Sequence, residues 1–355
     1  MASYKKHLIV IAPAAPAEDG IRYYVEFLTR ALSTAFPDIH LSILPWNYLR
    51  YRSRFFAPIK IIVLKGIRLL RADIVHIHYV PSLYLYHLLP ILLFARVTGT
   101  RVVLTIHEAK NNGPLRLILD ALARMHYCLA SHLIVHSMYH KHLLSLRQQK
   151  KTTVIRHGVS SAISIQPSPR SPKVIFSFLQ IGFIAPWKGC DSAIRAIEIL
   201  RDQGVRARLH IVGKIYNRNY YDGLMRLVRE KHLEAIVSIE GAFISDKKYE
   251  TFFQVADAVL LPYRRVTMSG ILSAAIAAGT PTIMTALEPF VEYTQSQGIY
   301  VPPNDPVALA TAMKCLITDR HLYDRQRQLM ETLREQYSWK NVAQQTNAVY
   351  QSLYE

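Results

Sequence analysis

The sequence predicts an α/β protein made of two tandem doubly wound, Rossmann-like domains with a cleft between them. Strand-like and helix-like segments alternate along most of the 355 residues, which is typical of parallel sheets covered by helices. The rhythm breaks at residues 164–173, where three prolines and three serines indicate a linker. We therefore predict an N-terminal domain over residues 1–165, a C-terminal domain over 174–337 and a last helix within 338–355.

Each half of the chain contains six candidate strands. In the first half these are residues 7–12, 40–45, 73–79, 101–107, 132–136 and 153–157. Helical patterns fill the intervals at 21–35, 58–70, 81–97, 114–129 and 138–147. In the second half the strands are 174–184, 207–213, 237–240, 258–262, 282–285 and 298–301, with three helical stretches after residue 306. Ligands bind beyond the carboxyl ends of such strands, so the loops there are the candidate sites.

The first residues imitate a secretory signal peptide, because two lysines precede a short apolar run and an Ala-Pro-Ala sequence. The apolar run at residues 7–12 is short and is followed by Pro13, so we predict the first strand there. The longest apolar region, 83–94, is too short to cross a bilayer and is predicted to be a buried helix, with membrane contact as the alternative use.

The formal charge of +18 belongs mainly to the N-terminal half. Residues 1–170 carry 22 lysines and arginines against seven acids, whereas residues 171–355 carry 21 against 18. Such a surface suits nucleic acid, anionic lipid or an anionic substrate. The sequence lacks the usual nucleic-acid-binding signatures, so we predict no nucleic-acid partner. Cations alternate with bulky apolar residues in 50–56 and 60–71, which fits either an interfacial membrane helix or a half-buried surface helix.

The chain contains three cysteines, Cys128, Cys190 and Cys315, which are odd in number and widely spaced. This usage is typical of a reducing compartment and provides neither a disulfide framework nor a metal site. We therefore predict a cytoplasmic protein without a bound metal.

The strongest candidate binding motif follows a buried strand that ends near Pro262. Ser269 and Gly270 begin a short helix of small residues, whose unpaired N–H groups and positive dipole end suit a phosphate. Arg264 adds a charged donor nearby. These features predict a pocket for a diphosphate, although an ordinary core helix of an α/β protein has a similar composition.

Weaker candidates lie at other strand ends. Gly20 follows the first strand without a Gly-x-Gly-x-x-Gly fingerprint, which argues against a nicotinamide or flavin dinucleotide enzyme. His107 terminates a strand and is able to bind a substrate hydroxyl or phosphate, or simply to meet solvent. Gly182 and Gly213 lie at strand ends of the second half. Lys188 lies in the loop after Gly182 and is either a pyrophosphate ligand or a solvated loop lysine.

Taken together, these motifs show a specific order along nearly the whole chain. They are Asp73–His78, Thr105–His107, His157–Val159, Gly182 with Lys188–Gly189, Ser269–Pro281, Val301–Asp305 and Tyr337–Trp339. The set resembles GT-B glycosyltransferases of the family 4 type. That resemblance implies transfer of a sugar from a nucleotide-sugar, held mainly by the C-terminal domain, to an acceptor held by the N-terminal domain.

The resemblance also assigns roles to residues. Lys188 and the helix start from Ser269 through Gly270, Ile271 and Leu272 would hold the diphosphate. Gly182 and Gly213 would belong to the nucleotide loops, Gly20 would lie on the acceptor side, and His107 would be the catalytic residue that faces the donor sugar. No metal or other cofactor is implied. The segment after Trp339 would cross back to the first domain.

Three positions depart from the family pattern. The family usually has two glutamates separated by seven residues across the phosphate-binding helix, and the matching positions here are Val266 and Ala274. Neither side chain accepts a hydrogen bond from a sugar hydroxyl. The arginine that often follows the glycine of the Gly182 loop is Phe183 here, a loss for which Arg264 offers partial compensation. Retention or inversion at the anomeric carbon is therefore left open.

From these observations we expect a glycosyltransferase at the cytoplasmic membrane face that acts on a lipid-linked or polysaccharide-precursor acceptor. A catalytically silent relative that serves as a partner or regulatory subunit is the alternative, since both glutamates are absent. An epimerase or phosphorylase on the same scaffold fits less well, because neither cleft carboxylates nor a cofactor lysine is recognisable.

Overall fold

A computed structural model describes residues 6–13, 20–46, 72–79, 88–107, 116–159, 175–242, 244, 246–266 and 269–354. The chain divides into two compact units, one formed by residues 1–158 together with 339–355 and the other by 159–338. Each unit contains one six-stranded parallel sheet. The predicted α/β class with two helix-covered parallel sheets is therefore confirmed. The predicted linker and the basic segments 50–56 and 60–71 lie outside the described residues.

The sheet of the first unit has the strand order β2-β1-β3-β4-β5-β6. Its strands are β1 Lys6–Pro13, β2 Ile39–Trp46, β3 Ile74–Tyr79, β4 Arg101–Ile106, β5 His132–Val135 and β6 Thr152–Val154. The described helices within residues 1–158 are α1 Gly20–Ala35, α2 Leu88–Thr98, α3 Arg116–Leu129, α4 Met138–His142 and α5 Leu146–Gln149. The order reverses between β1 and β3, so the chain leaves the two strands toward opposite sides of the sheet.

The sheet of the second unit has the order β12-β11-β10-β7-β8-β9. Its strands are β7 Phe176–Ile181, β8 Ala207–Val212, β9 Val237–Glu240, β10 Ala258–Leu261, β11 Thr282–Thr285 and β12 Ile299–Val301. Its helices are α6 Cys190–Asp202, α7 Arg218–Glu230, α8 Asp246–Val255, α9 Gly270–Ala277, α10 Glu288–Tyr293, α11 Pro306–Thr318 and α12 Arg320–Gln336. The order reverses between β7 and β10, which is where open α/β sheets bind ligands.

Burial on both faces explains the composition of the central strands. All six residues of β3 and all four residues of β10 are buried, as expected for parallel strands covered by helices on both sides. The two sequences differ in one respect, because β10 is Ala-Val-Leu-Leu whereas β3 includes two histidines. Those histidines must find hydrogen-bond partners inside the sheet layers.

The last helix, α13 Trp339–Ser352, belongs to the first unit. Its Trp339 stacks on Phe27 of α1 with ring centroids 5.5 Å apart and meets Tyr24 edge-on at 5.1 Å. A Cβ placed on Gly158 would lie 2.6 Å from the Trp339 indole, so a glycine is required where the chain first leaves this unit. The chain thus ends in the unit in which it began.

One predicted helix is wrong. The segment 138–147 was expected as a single helix, but it forms the two short helices α4 and α5. Ser145 begins α5 with a capping box, because its hydroxyl accepts from the Gln148 amide while the Gln148 side chain accepts from the Ser145 amide. Local side-chain bonds therefore begin a new helix where apolar periodicity alone would continue the old one.

Glycine is required where the main chains approach one another after β7 and β8. Gly213 has a φ of +150°, and a Cβ on it would lie 1.8 Å from the Gly182 carbonyl oxygen. Gly189 has a φ of +66°, and its Cβ would lie 2.0 Å from the Pro262 carbonyl oxygen. Because both obstacles are backbone atoms, a larger residue must displace a strand end.

We predict that Gly213→Ala lowers the free energy of unfolding by about 3 kcal/mol or more, since strain in the backbone adds to overpacking. Gly204→Ala is the matched control, because Gly204 also has a positive φ, +73°, but its Cβ would meet no atom within 4 Å. The control should lose only about 1 to 2 kcal/mol. Urea unfolding measures both, and equal losses would contradict the close approach.

Candidate functional site

The first part of the candidate site is the loop after β7. It contains Gly182, a 3₁₀ turn at Pro186–Lys188, and Gly189, a left-handed residue that starts α6. The Gln180 side-chain amide donates to the Lys188 carbonyl at 2.7 Å. The turn is therefore tied to β7, and the strand's end determines where Lys188 lies.

Arg264 lies just after β10 and contacts this turn, which follows β7, across the point where the strand order reverses. Its guanidinium donates to the Asp191 carboxylate at 2.6 Å and also to the Pro186 carbonyl and the Asn304 side chain. The Tyr220 hydroxyl donates to the second Asp191 oxygen at 2.5 Å. Burial alone would raise the pKa of Asp191, but these hydrogen bonds lower it below its usual value.

Lys188 is half-buried against an aromatic ring. Its Nζ lies 3.7 Å from the centroid of the Tyr263 ring, which is within the range of a cation–π contact. Burial lowers the pKa of Lys188 to about 8. A bound anion stabilises the charged form of Lys188, which burial disfavours. This lysine is therefore well suited to bind an anion.

The second part of the site is the start of α9. Ser269 caps the helix, and its hydroxyl accepts from the Leu272 amide at 3.3 Å. Among the described residues, the amides of Gly270 and Ile271 have no hydrogen-bond partner. Ile271 Cδ1 lies 3.5 Å from the position of a Cβ on Gly182. The structure therefore places the helix start, with its positive dipole end, beside the Gly182 loop.

The three positions at which the sequence was predicted to depart from the family pattern lie at or near this part of the second unit. Ala274 is buried in the core, and Val266 packs against the same core cluster. Phe183 is 52 % exposed and faces the exposed Tyr216, with ring centroids 6.1 Å apart. None of the three side chains offers a polar atom.

Gly213, the other predicted nucleotide-loop residue, contacts Gly182 through the close approach described above. The structure thus brings six predicted donor residues of the second unit around the reversal point of one sheet. They are Gly182, Lys188, Gly213, Arg264, Ser269 and Gly270.

In the first unit, Gly20 begins α1 directly after the segment that follows β1. His107 lies at the end of β4 and is 7 % exposed. Both of its ring nitrogens contact other histidines, since Nε2 lies 3.1 Å from His78 Nδ1 and Nδ1 lies 3.3 Å from His136 Nε2. The structure does not bring Gly20 into any described contact with His107.

His107 therefore belongs to a cluster that the sequence analysis did not identify as a unit. Tyr24 is at its centre, with ring centroids between 4.9 and 5.4 Å from four histidines. The histidine cluster consists of His76, His78, His107, His136 and His157. The only sequence signal was the recurrence of histidine at the ends of successive strands.

Burial makes these histidines neutral. It lowers the pKa of His76 and His136 to about 3 and the pKa of His78 and His107 well below the usual value. Within the part of the chain that the structure describes, no group of histidine, cysteine or acidic residues is arranged to hold a metal ion. Nor does any described helix have the length and apolar character that a bilayer span requires.

Comparison with known proteins gives a family for each unit. A family model described as "Glycosyltransferase Family 4" matches residues 6–162, and one described as "Glycosyl transferases group 1" matches residues 176–319. Together the two matches cover most of the chain and both of its sheets. The chain belongs to the family 4 (group 1) glycosyltransferases. The resemblance predicted from the sequence is confirmed.

Solved structures show that this glycosyltransferase has the GT-B fold. A glycosyltransferase from Rickettsia africae superimposes with a TM-score of 0.73 at 15% identity, over 99% of this chain and all of that one. Anabaena HepE in complex with UDP gives the same TM-score and identity, over 98% of this chain and all of that one. The predicted cleft between the domains remains a prediction.

Curated relatives of this glycosyltransferase match about half of its length. WcaL of Escherichia coli, a putative colanic acid biosynthesis glycosyltransferase, is 30% identical over 46% of this chain and 41% of its own. An uncharacterised glycosyltransferase of Methanocaldococcus jannaschii is 24% identical over 48% of this chain and 44% of its own. The matches thus span less than half the length of these relatives.

We predict that this protein loses stability as the pH falls from about 6.5 toward 3. The pKa of each clustered histidine is depressed in the folded state, so below pH 6.5 the unfolded state binds more protons. Each fully neutral histidine should contribute a slope of about 1.4 kcal/mol per pH unit. Urea unfolding from pH 8 to 4.5 measures the slope, and a flat profile would refute the buried neutral state.

Proposed function

We propose that this protein transfers a sugar from a nucleotide-sugar to an acceptor and that its second unit holds the donor diphosphate. The observation that carries the proposal is the placement of Lys188 and of the α9 N-terminus around one sheet's reversal point, where Lys188 packs on Tyr263 and Ile271 lies beside Gly182. A lysine and a helix N-terminus are both favourable partners of phosphate oxygens.

We propose that these groups stabilise the nucleoside diphosphate as it leaves. As the glycosidic bond breaks, negative charge grows on the nucleoside diphosphate, and preorganised donors stabilise it without further reorganisation. Lys188 and the start of α9 supply the charge and the dipole. Arg264 has protein acceptors for its guanidinium, so we propose that it mainly positions the Pro186–Lys188 turn, and its direct contact with phosphate remains a prediction.

The donor and its base are suggested by a structural neighbour. HepE of Anabaena has been solved with UDP, with UDP and glucose, and with UDP-glucose. We therefore propose a nucleoside diphosphate sugar as the donor class and take UDP as the first probe. No bound metal or cofactor is proposed. The assignment of His107 to the donor sugar still rests on the family resemblance.

For the acceptor we propose a lipid-linked or polysaccharide-precursor glycan at the inner face of the membrane, in the cytoplasm. Two observations support this choice: the excess of cations over acids in residues 1–170, and the similarity to WcaL, which carries a colanic acid biosynthesis name. An anionic, membrane-held acceptor complements such a cationic half.

A catalytically silent protein is the alternative that a specific observation favours. Val266 and Ala274 carry no polar side-chain atom, so no carboxylate at these positions meets a donor sugar. Nucleotide binding without turnover of UDP-sugars, GDP-sugars and ADP-sugars, tested with membrane extract as the acceptor source, would support that alternative.

We predict that Lys188→Ala weakens UDP binding by about 10- to 100-fold, because a hydrogen bond to a charged group contributes about 1.5–3 kcal/mol. Wild-type affinity should also fall as the pH rises through about 8, where Lys188 loses its proton. Isothermal titration calorimetry at pH 7 and pH 9 measures both effects.

Lys231→Ala is the matched control for this experiment. Lys231 lies in the same unit but forms a surface ion pair with Glu198 at 2.8 Å, away from the Gly182 loop. Its replacement should leave UDP affinity unchanged. If Lys188→Ala and Ser269→Ala both bind UDP and transfer sugar like the wild type, the proposed donor site is wrong.

We predict that the protein binds vesicles containing anionic lipid and releases them as salt rises, since screening weakens the attraction between headgroups and surface cations. Vesicles of zwitterionic lipid are the control and should bind little protein. Flotation at about 0.05 M and 0.5 M salt measures the difference. Equal binding to both vesicle types would contradict an electrostatic membrane contact.

A further inference from the structure

The hydrogen bonds within the histidine cluster have a direction that the main chain determines. His136 Nδ1 lies 2.8 Å from the Ile155 carbonyl oxygen, which is only able to accept. His136 Nδ1 therefore carries a proton, and because burial keeps the ring neutral, its Nε2 is a lone pair. One backbone carbonyl thus fixes the tautomer of His136.

The same reasoning extends along the chain of rings. His107 Nδ1, 3.3 Å from His136 Nε2, must donate to it, so His107 Nε2 is in turn a lone pair. His78 Nδ1, 3.1 Å from His107 Nε2, must then donate, which leaves a lone pair on His78 Nε2. That last atom is buried and has no partner among the described residues. The direction is His78 to His107 to His136 to Ile155.

We propose that His136, held by the Ile155 carbonyl, is a positioning residue that fixes His107 as the neutral tautomer with its proton on Nδ1. His78 orients the ring from the other side without deciding the tautomer, because its N–H only occupies a lone pair that already exists. The two neighbours of His107 thus have unequal roles, although both are buried and both contact it.

This assignment has a consequence for the ligand, and the consequence rests on the proposed function. Every N–H of the three rings is already used inside the protein, and the remaining site is a lone pair. Phosphate oxygens only accept hydrogen bonds, so these three histidine rings offer them no unused donor. If the His78 lone pair meets the substrate, its partner is a hydroxyl group, as on a sugar, and not the diphosphate.

The test is nuclear magnetic resonance of the full-length protein labelled with ¹⁵N-histidine, without ligand. The protonated and unprotonated nitrogens of a neutral imidazole have distinct ¹⁵N shifts, so the tautomer of His107 is read directly. In the wild type we expect a protonated Nδ1 and an unprotonated Nε2 on His107 between pH 6.5 and 8. A protonated Nε2 on His107 would overturn the proposal.

Variants of His136 and His78 distinguish a positioning role of His136 from a role in packing alone. His136→Leu removes the acceptor, and we expect His107 to lose its Nδ1–H signal in favour of Nε2–H. His136→Gln retains an amide oxygen near the Nε2 position and should restore the wild-type tautomer, which also guards against loss of folding in the leucine variant. His78→Leu should leave the Nδ1–H tautomer in place. Equal effects of His78→Leu and His136→Leu would overturn the proposal, as would no effect of His136→Leu.

His126→Leu is the matched control. His126 is equally buried in the same unit, but its Nδ1 contacts the Tyr79 hydroxyl at 3.0 Å and not the histidine chain. Its replacement should leave the His107 signals unchanged, and a change of tautomer in this variant would count against the proposal. Because the readout needs no substrate, it distinguishes failure of this inference from failure of the glycosyltransferase proposal, which the UDP and transfer assays address separately.

Discussion

The close approach of main chains at the carboxyl ends of β7, β8 and β10 is the constraint on which the donor site depends. At Gly213 and at Gly189 a single Cβ would collide with a carbonyl oxygen of a neighbouring loop. Only because these positions lack side chains does the Gly182 loop lie against the start of α9. The N-terminus of that helix and Lys188 then share one edge of the sheet, where both favour a bound anion.

Polar contacts hold this arrangement in register. Arg264 joins the strand end after β10 to the turn after β7, and Asp191 joins that arginine to Tyr220. These groups are partly exposed, so their value lies more in geometry than in stability. The half-buried cation near Tyr263 is different, because Lys188 loses part of its hydration in the free protein and recovers favourable electrostatics with a bound anion.

In the first unit, several imidazole rings are buried between apolar layers. Burial disfavours the charged form, so the rings are neutral and each has one donor and one acceptor. The Ile155 carbonyl accepts from His136, and this contact determines in turn which ring nitrogen of His107 and of His78 carries the proton. Tyr24 packs edge-on against His107, and Trp339 packs edge-on against Tyr24, so the last helix contributes to the environment of His107 although it is distant in sequence.

The sequence by itself determined the alternation of strands and helices, the glycine and lysine of the Gly182 loop, and the Ser-Gly helix start, because apolar periodicity and capping chemistry are local. The break at Ser145 was also encoded locally, yet apolar periodicity concealed it. Tertiary structure alone decided that Arg264 is engaged by Asp191, and that His107 bonds two other histidines. These partners lie between 29 and 73 residues apart, and only the order of strands in the sheet brings them within hydrogen-bonding distance.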